Sequence, residues 1–493
     1  MSSYAEFCHI GQSALSQGRF EEAIEITGAG LVMYPDNVPL LELLATALSQ
    51  KGRYYESAIL LEKIVSLTPH SKVALSLLTK NYVEIGVHKK NYWDRALEAA
   101  DRSIEAEPTE SSAHVSKAYV AIQKGDYEET FRLCQEALRV NPESDAAIFN
   151  ISLAMLANHM WEEGWYSYNK YLHARFLHGI PEYGVPLWNG EPGKVIVCGE
   201  QGLGDAIMFS SMVPDLMEDH EVIFDTVPKL TNLFGRSFDC ESHGTKPNDQ
   251  AVWKINTDAD FWTPAGSLGH YFRNDGGSFN GEPYLIACPE RKVQWKALLD
   301  SLGDKPKIGI AWSGGVANTN EKERSLSVED LYPILEYDAD WISLQYKNTS
   351  DMPDFIHHWP RAVESDDYDD TAALIDSVDL VISVTTTAVH CAGALGKKVW
   401  TLVNEGPTWR YGTSGDRMPW YSGVELLRQK DGVWPIQEVC DRLSAMNIEK
   451  CRSLSTKTPI TVLPQKHTRQ SSPLFSKKSG LQRFLITGLG KAA

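Results

Sequence analysis

The chain has 493 residues, 43% hydrophobic and 23% charged, which is the balance of a soluble globular protein. That length is too great for one ordinary core, so two or three domains are expected. The formal net charge of -18 argues against a general nucleic-acid binder. The charge is uneven: residues 449–493 carry nine Lys/Arg and one acid, Glu449. Removing them from the 47 basic and 65 acidic residues leaves a body of net charge -26 with a basic appendage.

Cys8, Cys134, Cys198, Cys240, Cys288, Cys391, Cys440 and Cys451 form no CxxC pair, and several lie in apolar runs. Reduced, buried thiols in a cytoplasmic compartment are expected. The opening MSSYAEFCHIGQ has no basic n-region or long apolar core, so no secretory leader is expected. No stretch of about 18 apolar residues suggests a membrane span.

Internal repeats come first along the chain. Gly18-Arg19-Phe20, Gly52-Arg53-Tyr54 and Gly125-Asp126-Tyr127 share the pattern Gly-polar-aromatic, and the first two are 34 residues apart. Pro35, Pro69, Pro108 and Pro142 follow at intervals of 34, 39 and 34, which places a five-residue insertion near residues 86–90. Small residues (Ala23, Ser57, Ala96, Thr130) sit where helices must approach closely. The period resembles the tetratricopeptide repeat, a helix–turn–helix unit. Glycine suits the inter-helix turn, and proline closes the second helix because it cannot continue the hydrogen-bond ladder. Four repeats are expected over residues 4–143 and a degenerate fifth over 146–173, an α-solenoid spanning 4–173. Stacked repeats form a concave face suited to a protein or peptide partner.

Residues 174–192 are rich in Pro, Gly and aromatics and read as a packed linker. From 193 the pattern changes to α/β. Strands are expected at 194–198, 221–225, 307–312, 340–344, 379–383 and 398–403. Helices are expected at 205–218, 289–302, 328–336, 370–377, 387–395 and 433–444. Such alternation implies parallel sheets with crossover helices, in two Rossmann-like halves, 193–304 and 305–448. Residues 237–285 read as irregular. The Ser/Thr/Lys/Pro-rich tail, 449–493, is expected to be disordered, with a weak amphipathic stretch around Phe484-Leu485-Ile486.

Three clusters carry chemistry. The first is Cys198-Gly199-Glu200-Gln201-Gly202-Leu203-Gly204-Asp205, between a buried strand and a helix. Gly202 and Gly204 allow a turn whose N–H groups face an anion, and Asp205 adds a fixed carboxylate. Taken alone, Asp205 is equally a first-turn acid complementing the helix dipole. The dinucleotide fingerprint GxGxxG competes, but its third glycine falls at Ile207, and Asp205 would stand beside the pyrophosphate; Asp225 is the matching ribose-binding acid. The second cluster is Thr385-Thr386-Thr387 at a strand-to-helix junction, with His390 one turn later. The third is Trp312-Ser313-Gly314-Gly315 with Lys322 and Arg324. The pairs Asp258/Asp260 and Asp338/Asp340 mimic a DxD metal motif but read as polar loop residues, so no metal is expected.

GEQGLGD, IAWSGG with RSLS, SLQ at 343–345, DDTAALI at 369–375, DLVISVTTTAVHCAGALG, PTWRYG at 407–412 and MPWYSGVELLRQ at 418–429 occur in that order. This ordered set resembles bacterial tetratricopeptide-repeat proteins with a glycosyltransferase domain of the heptosyltransferase family, distantly similar to protein O-GlcNAc transferases. The resemblance covers residues 5–445. It implies a GT-B fold, two Rossmann-like halves facing across a cleft, acting without a bound metal or other cofactor. A nucleoside-diphosphate sugar would be the donor and a hydroxyl the acceptor. Asp205 matches the family's candidate base. Gly202, Gly204, Ser313, Arg324, Thr385, Thr386, Thr387 and His390 match positions around the donor's phosphates, and Gln345 a strand end facing the nucleotide. Relatives commonly have Asp-Thr where this chain has Thr385-Thr386, so the donor sugar is left open. The alternative is an inactive scaffold, in which the repeats bind partners and the transferase-like domain is silent.

Overall fold

The computed structural model describes residues 3–175, 180–246, 249–315 and 321–454. The chain falls into two compact units divided between Ile151 and Ser152.

The first unit is a series of helix pairs: α1 (Tyr4–Ser16) with α2 (Phe20–Met33), α3 (Val38–Gln50) with α4 (Tyr54–Leu67), α5 (Lys72–His88) with α6 (Asn91–Ala106), and α7 (Ser112–Gln123) with α8 (Tyr127–Val140). Three of the four inter-helix turns close alike. Gly18, Gly52 and Gly125 have φ of +71°, +73° and +68°, where a Cβ would be strained. The N–H groups of Arg19, Arg53 and Asp126 then reach back to Ala14 O, Leu48 O and Ala121 O, each at 2.9 Å. These are Schellman closures, satisfying carbonyls that a helix end would otherwise leave bare. The second helix of each pair stops two residues before Pro35, Pro69, Pro108 or Pro142.

Ala23, Ser57, Ala96 and Thr130 are all buried, as close helix approach requires. Ser57 Oγ donates to Ala45 O at 2.6 Å and accepts from Asn81 Nδ2 at 2.7 Å. Asn81 Oδ1 in turn accepts from Ser49 at 2.7 Å, so α3, α4 and α5 share a satisfied buried polar network. The insertion is absorbed as helix: α5 has 17 residues against 13 in α3. Gly86 lies within α5, where a Cβ would come 2.0 Å from Trp93 Cδ1. Glycine there lets α6 close on the lengthened helix.

α9 (Asp145–Ala157) crosses the division, and the second unit then continues with α10 (Trp161–Arg175). His159, at φ +58°, stands where three of the other repeats have glycine, and Met160 N–H reaches Met155 O at 2.9 Å. The degenerate fifth repeat therefore keeps its closure. α10 is part of the α/β core: Trp165 is fully buried, with ring centroids 5.4 Å from Tyr168, 5.7 Å from Trp409 and 6.2 Å from Trp420. Gly269 makes room for it, since a Cβ there would lie 2.4 Å from the Trp165 ring.

The remainder carries two parallel sheets. The first has β1 (Lys194–Cys198), β2 (Glu221–Thr226), β3 (Glu241–Gly244) and β4 (Phe261–Pro264) in the order β3-β2-β1-β4. The second has β5 (Lys307–Ala311), β6 (Asp340–Ser343), β7 (Leu380–Val384), β8 (Val399–Val403) and β9 (Val424–Arg428) in the order β6-β5-β7-β8-β9. The six expected strands are present within a residue or two. β3 and β4 correct the expectation that 237–285 is irregular: both are only four residues long, β3 is polar (Glu-Ser-His-Gly), and β4 ends on proline. Pairing rather than composition makes them strands. The expected helix 205–218 is broken into α11 (Leu203–Phe209), a 3-10 turn and a short helix Val213–Met217, with Pro214 in its first turn.

Of the linker, residues 176–179 lie outside the described residues. Trp188 N–H donates to Trp262 O at 2.8 Å, and Trp262 N–H to Pro186 O at 3.0 Å, so 186–188 run alongside β4. The tail expected to be disordered from 449 starts as a packed strip. Lys450 pairs with Glu336 at 2.8 Å, and Leu454 N–H donates to the same carboxylate at 3.0 Å. Residues 455–493, with most of the tail's positive charge, lie outside the described residues. Among the described residues no helix is long and apolar enough to cross a membrane. All eight cysteines are free.

Candidate functional site

The site lies in the second unit, where the carboxyl end of β1 meets residues from the carboxyl ends of β5, β7 and β8. In open α/β sheets this end is where ligands bind. β1 leads into α11 through a turn that needs Gln201 at φ +59°. Gly202 caps α11, and its N–H donates to Asp205 Oδ2 at 3.3 Å. That N–H is therefore taken by the chain's own acid. Gly204 has a different duty. A Cβ there would sit 3.1 Å from His390 Cδ2 and 3.5 Å from Thr387 Oγ1. Glycine thus lets α11 close onto the helix Thr387–Ala394, bringing the first and second clusters together.

Asp205 Oδ1 forms an ion pair with Arg410, and both side chains are largely buried. Arg410 Nη1 also donates to Thr408 Oγ1 at 3.0 Å. The backbone around Arg410 is clamped from β9: Arg428 Nη1 donates to Gly412 O at 3.1 Å and its Nε to Gly415 O at 2.6 Å. Arg324 donates to Gly314 O at 3.2 Å. Burial and the charge of Arg410 lower its pKa, while Tyr411, Asp205 and Tyr346 act the other way. Two guanidiniums and one carboxylate therefore share one partly desolvated space.

His390 is enclosed. Its Nδ1 faces the Tyr421 hydroxyl at 3.1 Å and its Nε2 the Tyr411 hydroxyl at 3.2 Å. Burial, reinforced by Arg410 and Arg324, holds the imidazole well below its ordinary pKa. Burial also pushes the Tyr411 phenol up to about 12, so these hydroxyls keep their protons. His390 is thus a neutral anchor for Tyr411, the neighbour of Arg410.

Thr386 caps the helix Thr387–Ala394, and its hydroxyl lies 3.0 Å from Ser383 Oγ. Gly314 lets the β5 turn reach it: a Cβ there would lie 2.6 Å from Thr386 Cγ2. Thr385 is buried and Thr387 half-buried at the same junction. Gln345, expected to face the nucleotide, is fully buried and committed elsewhere. Its Oε1 accepts from Trp312 and Ser313 N–H, both at 3.1 Å, and its Nε2 donates to Ser313 O and Oγ, both at 2.8 Å. Its side-chain amide shapes the Ser313 turn and is fully engaged there. Lys322 is exposed.

Three other acids have clear partners. Asp225 is buried and accepts the Tyr183 hydroxyl at 2.7 Å, so it lies inside the sheet's core and not at a ribose. Asp258 pairs with Lys194 at 2.6 Å, and Asp340 with Lys307 at 2.9 Å, which accounts for both DxD look-alikes as polar supports.

Sequence reasoning missed Arg410, Tyr411, Tyr421 and Glu200, although all four lie in the quoted runs PTWRYG, MPWYSG and GEQGLGD. Glu200 is buried beneath the turn, its Oε1 accepting Gly266 N–H at 2.6 Å, and burial pushes its carboxyl up to about 8 against that hydrogen bond. In the repeat unit, α1, α3 and the start of α5 border a groove of about 690 Å³. Cys8, His9, Gln12, Glu42, Leu43 and Thr46 are among its lining residues.

Residues 9–72 and 89–148 match the tetratricopeptide repeat family, so the first unit is built of these repeats, a fold that suggests a protein-interaction role. Protein FlbA of Caulobacter vibrioides is 29% identical over 464 residues, covering 86% of this chain and 75% of that protein. Among solved structures, the tetratricopeptide-repeat protein TTC0263 of Thermus thermophilus is 17% identical, covering 35% of this chain and 92% of its own, with a TM-score of 0.31. MamA of Desulfovibrio magneticus is 17% identical, covering 35% and 96%, also with a TM-score of 0.31. The chain thus joins a tetratricopeptide-repeat unit to a unit of two parallel sheets.

Proposed function

We propose that the second unit is a GT-B-type glycosyltransferase that moves a sugar from a nucleoside diphosphate to a hydroxyl, without a metal, in a cytoplasmic setting. The repeat unit presents a protein partner or acceptor to it. One observation carries this reading: Asp205, on the turn after β1, meets the cationic and hydroxyl groups at the carboxyl ends of the second sheet through Arg410. A transferase needs that pairing of a base with an anion cradle.

In the reaction, the acceptor oxygen bonds to the donor's anomeric carbon and its proton passes to the Asp205 carboxylate. The bond from that carbon to the β-phosphate oxygen breaks, and its electron pair leaves with the nucleoside diphosphate. Arg324, Arg410 and the hydroxyl-rich turn at Thr385-Thr386-Thr387 stabilise the charge that develops there. His390 acts through Tyr411, holding the strip that carries Arg410. Because open α/β units bind at their strand carboxyl ends where the strand order reverses, the donor lies over the ends of β5 and β7.

The test is a thermal-shift panel of UDP-, ADP-, GDP- and CMP-sugars, followed by assays of transfer and donor hydrolysis. A rise of several degrees with one nucleotide and turnover of its sugar support the reading. A flat panel sinks it. A second reading is a silent scaffold, favoured by the ion pair that occupies Asp205 and by Thr385-Thr386 in place of Asp-Thr. Nucleotide binding without any transfer or hydrolysis would support the scaffold.

A further inference from the structure

The Asp205–Arg410 pair joins groups 205 residues apart and sits between the two sheets' carboxyl ends. Its two members are anchored differently. Asp205 is fixed by the first turn of α11 and by the Gly202 N–H. Arg410 stands on a strip held from below by Arg428 and beside it by the Tyr411–His390 contact. Its guanidinium, at the end of a long side chain, donates to both Asp205 and Thr408. Arg324 stands close enough to both members for each to act on its charge. His390 is neutral and adds no competing cation.

A carboxylate tied to a guanidinium is a poor proton acceptor, because protonation must break the pair. A diphosphate beside Arg324 and the threonine turn offers Arg410 a denser anion with several oxygens, suited to the planar fork of an arginine. We propose that Arg410 is a donor-site residue that exchanges partners: it pairs with Asp205 before the donor arrives, then turns to the diphosphate and leaves the carboxylate free for the acceptor's proton. The inference rests on the transferase reading. It explains how a base held in an ion pair remains a base, and why donor binding must precede proton transfer.

Competition for one guanidinium predicts an effect of unusual sign: removing the carboxylate strengthens binding of the anion. Isothermal titration with inorganic pyrophosphate, and with the nucleoside diphosphate selected by the thermal-shift panel, reads this on the full chain. Asp205→Asn is expected to bind pyrophosphate more tightly, by roughly 5- to 150-fold, the range of ordinary site–site coupling. Arg410→Gln is expected to bind about 10-fold more weakly or worse, which matches one lost charge-assisted contact. In Asp205→Asn/Arg410→Gln the gain disappears, because no guanidinium remains to be released. If Arg410→Gln does not fold, Arg410→Lys takes its place in the cycle; it keeps the charge but loses the fork, and the gain shrinks.

Unchanged or weaker binding by Asp205→Asn overturns the exchange while leaving the transferase reading intact. So does a gain that persists in the double variant, since simple repulsion between Asp205 and the phosphates then accounts for it. A wild type that binds neither pyrophosphate nor any nucleotide removes the transferase reading itself, and the exchange with it.

Discussion

The repeat unit and the α/β unit place their important residues by opposite means. In the repeats three of the four turns are specified by their own neighbours, a glycine at positive φ and a Schellman closure five residues back, and every second helix ends two residues before a proline. In the α/β unit the decisive contacts are remote. Asp205 meets Arg410, Gly204 meets His390, and Trp165 of α10 fills a pocket framed by Phe209, Trp409 and Trp420. Local punctuation builds a regular surface that tolerates substitution one repeat at a time. Remote convergence builds a site in which one change reaches several elements.

The largest expected effect tests the convergent side. Asp205→Asn, with the fold intact by thermal melting, should lower sugar transfer by about 10²- to 10⁴-fold, the usual range for a lost general base. A loss below threefold in turnover would place the proton acceptor elsewhere.

Next in size is Trp165→Ala. It should destabilise the second unit by about 3–5 kcal/mol, through lost burial and the cavity left behind. Hydrogen exchange or limited proteolysis should show the sheets opening while the helices of residues 4–140 stay protected. If the repeat helices open instead, α10 belongs with them and the contrast drawn above fails.

Glu200 gives a pH-dependent test of the same turn. Its folded value of about 8 lies above the ordinary 4.5, so between those values the fold holds a proton that the unfolded chain has released. The stabilising contribution is complete below pH 4.5 and is lost as the pH rises through about 8. The slope is at most about 1.4 kcal/mol per pH unit. Glu200→Gln should flatten it, so melting temperatures of variant and wild type diverge in the variant's favour toward pH 8.5. Parallel curves from pH 5 to 8.5 would show that Glu200 titrates alike in both states.

The smallest effect is local. Gly52→Ala should cost about 1 kcal/mol from its left-handed backbone alone, since a Cβ there meets nothing within 4 Å. Gly86→Ala, at ordinary helical dihedrals but against Trp93, should cost more, about 1–3 kcal/mol from overpacking. Denaturant midpoints of the repeat unit check both. If Gly52→Ala proves the costlier, the turn conformation outweighs the contact with Trp93.

How much was legible follows the same divide. The repeat positions were readable because glycine, aromatic and proline act within one turn of chain. The six clear strands were readable because buried parallel strands are continuous apolar runs. Three strands were missed: β9, which pairs with β8, and β3 and β4, which are four residues each, one polar and one ending in proline, and become strands through the partners supplied by β2 and β1. At the candidate site, Gly204 and Thr387, both expected around the donor's phosphates, lie against each other. Gln345, expected to face the nucleotide, and His390, matched to the diphosphate turn, both have their side chains engaged in buried hydrogen bonds. Arg410 was overlooked because nothing in its own segment marks it; its meaning comes from a carboxylate two hundred residues away.

The sequence by itself determined the period of the repeats, the change to strand–helix alternation at 193 and the chemical types gathered near each strand end. Backbone conformation and burial act over a few residues, so their signature is written locally. Only the tertiary structure decided which of those groups face one another, which are spent on supporting a turn, and that an acid and a guanidinium share one desolvated space. Those outcomes depend on distances between segments far apart in the chain, and no local preference encodes them.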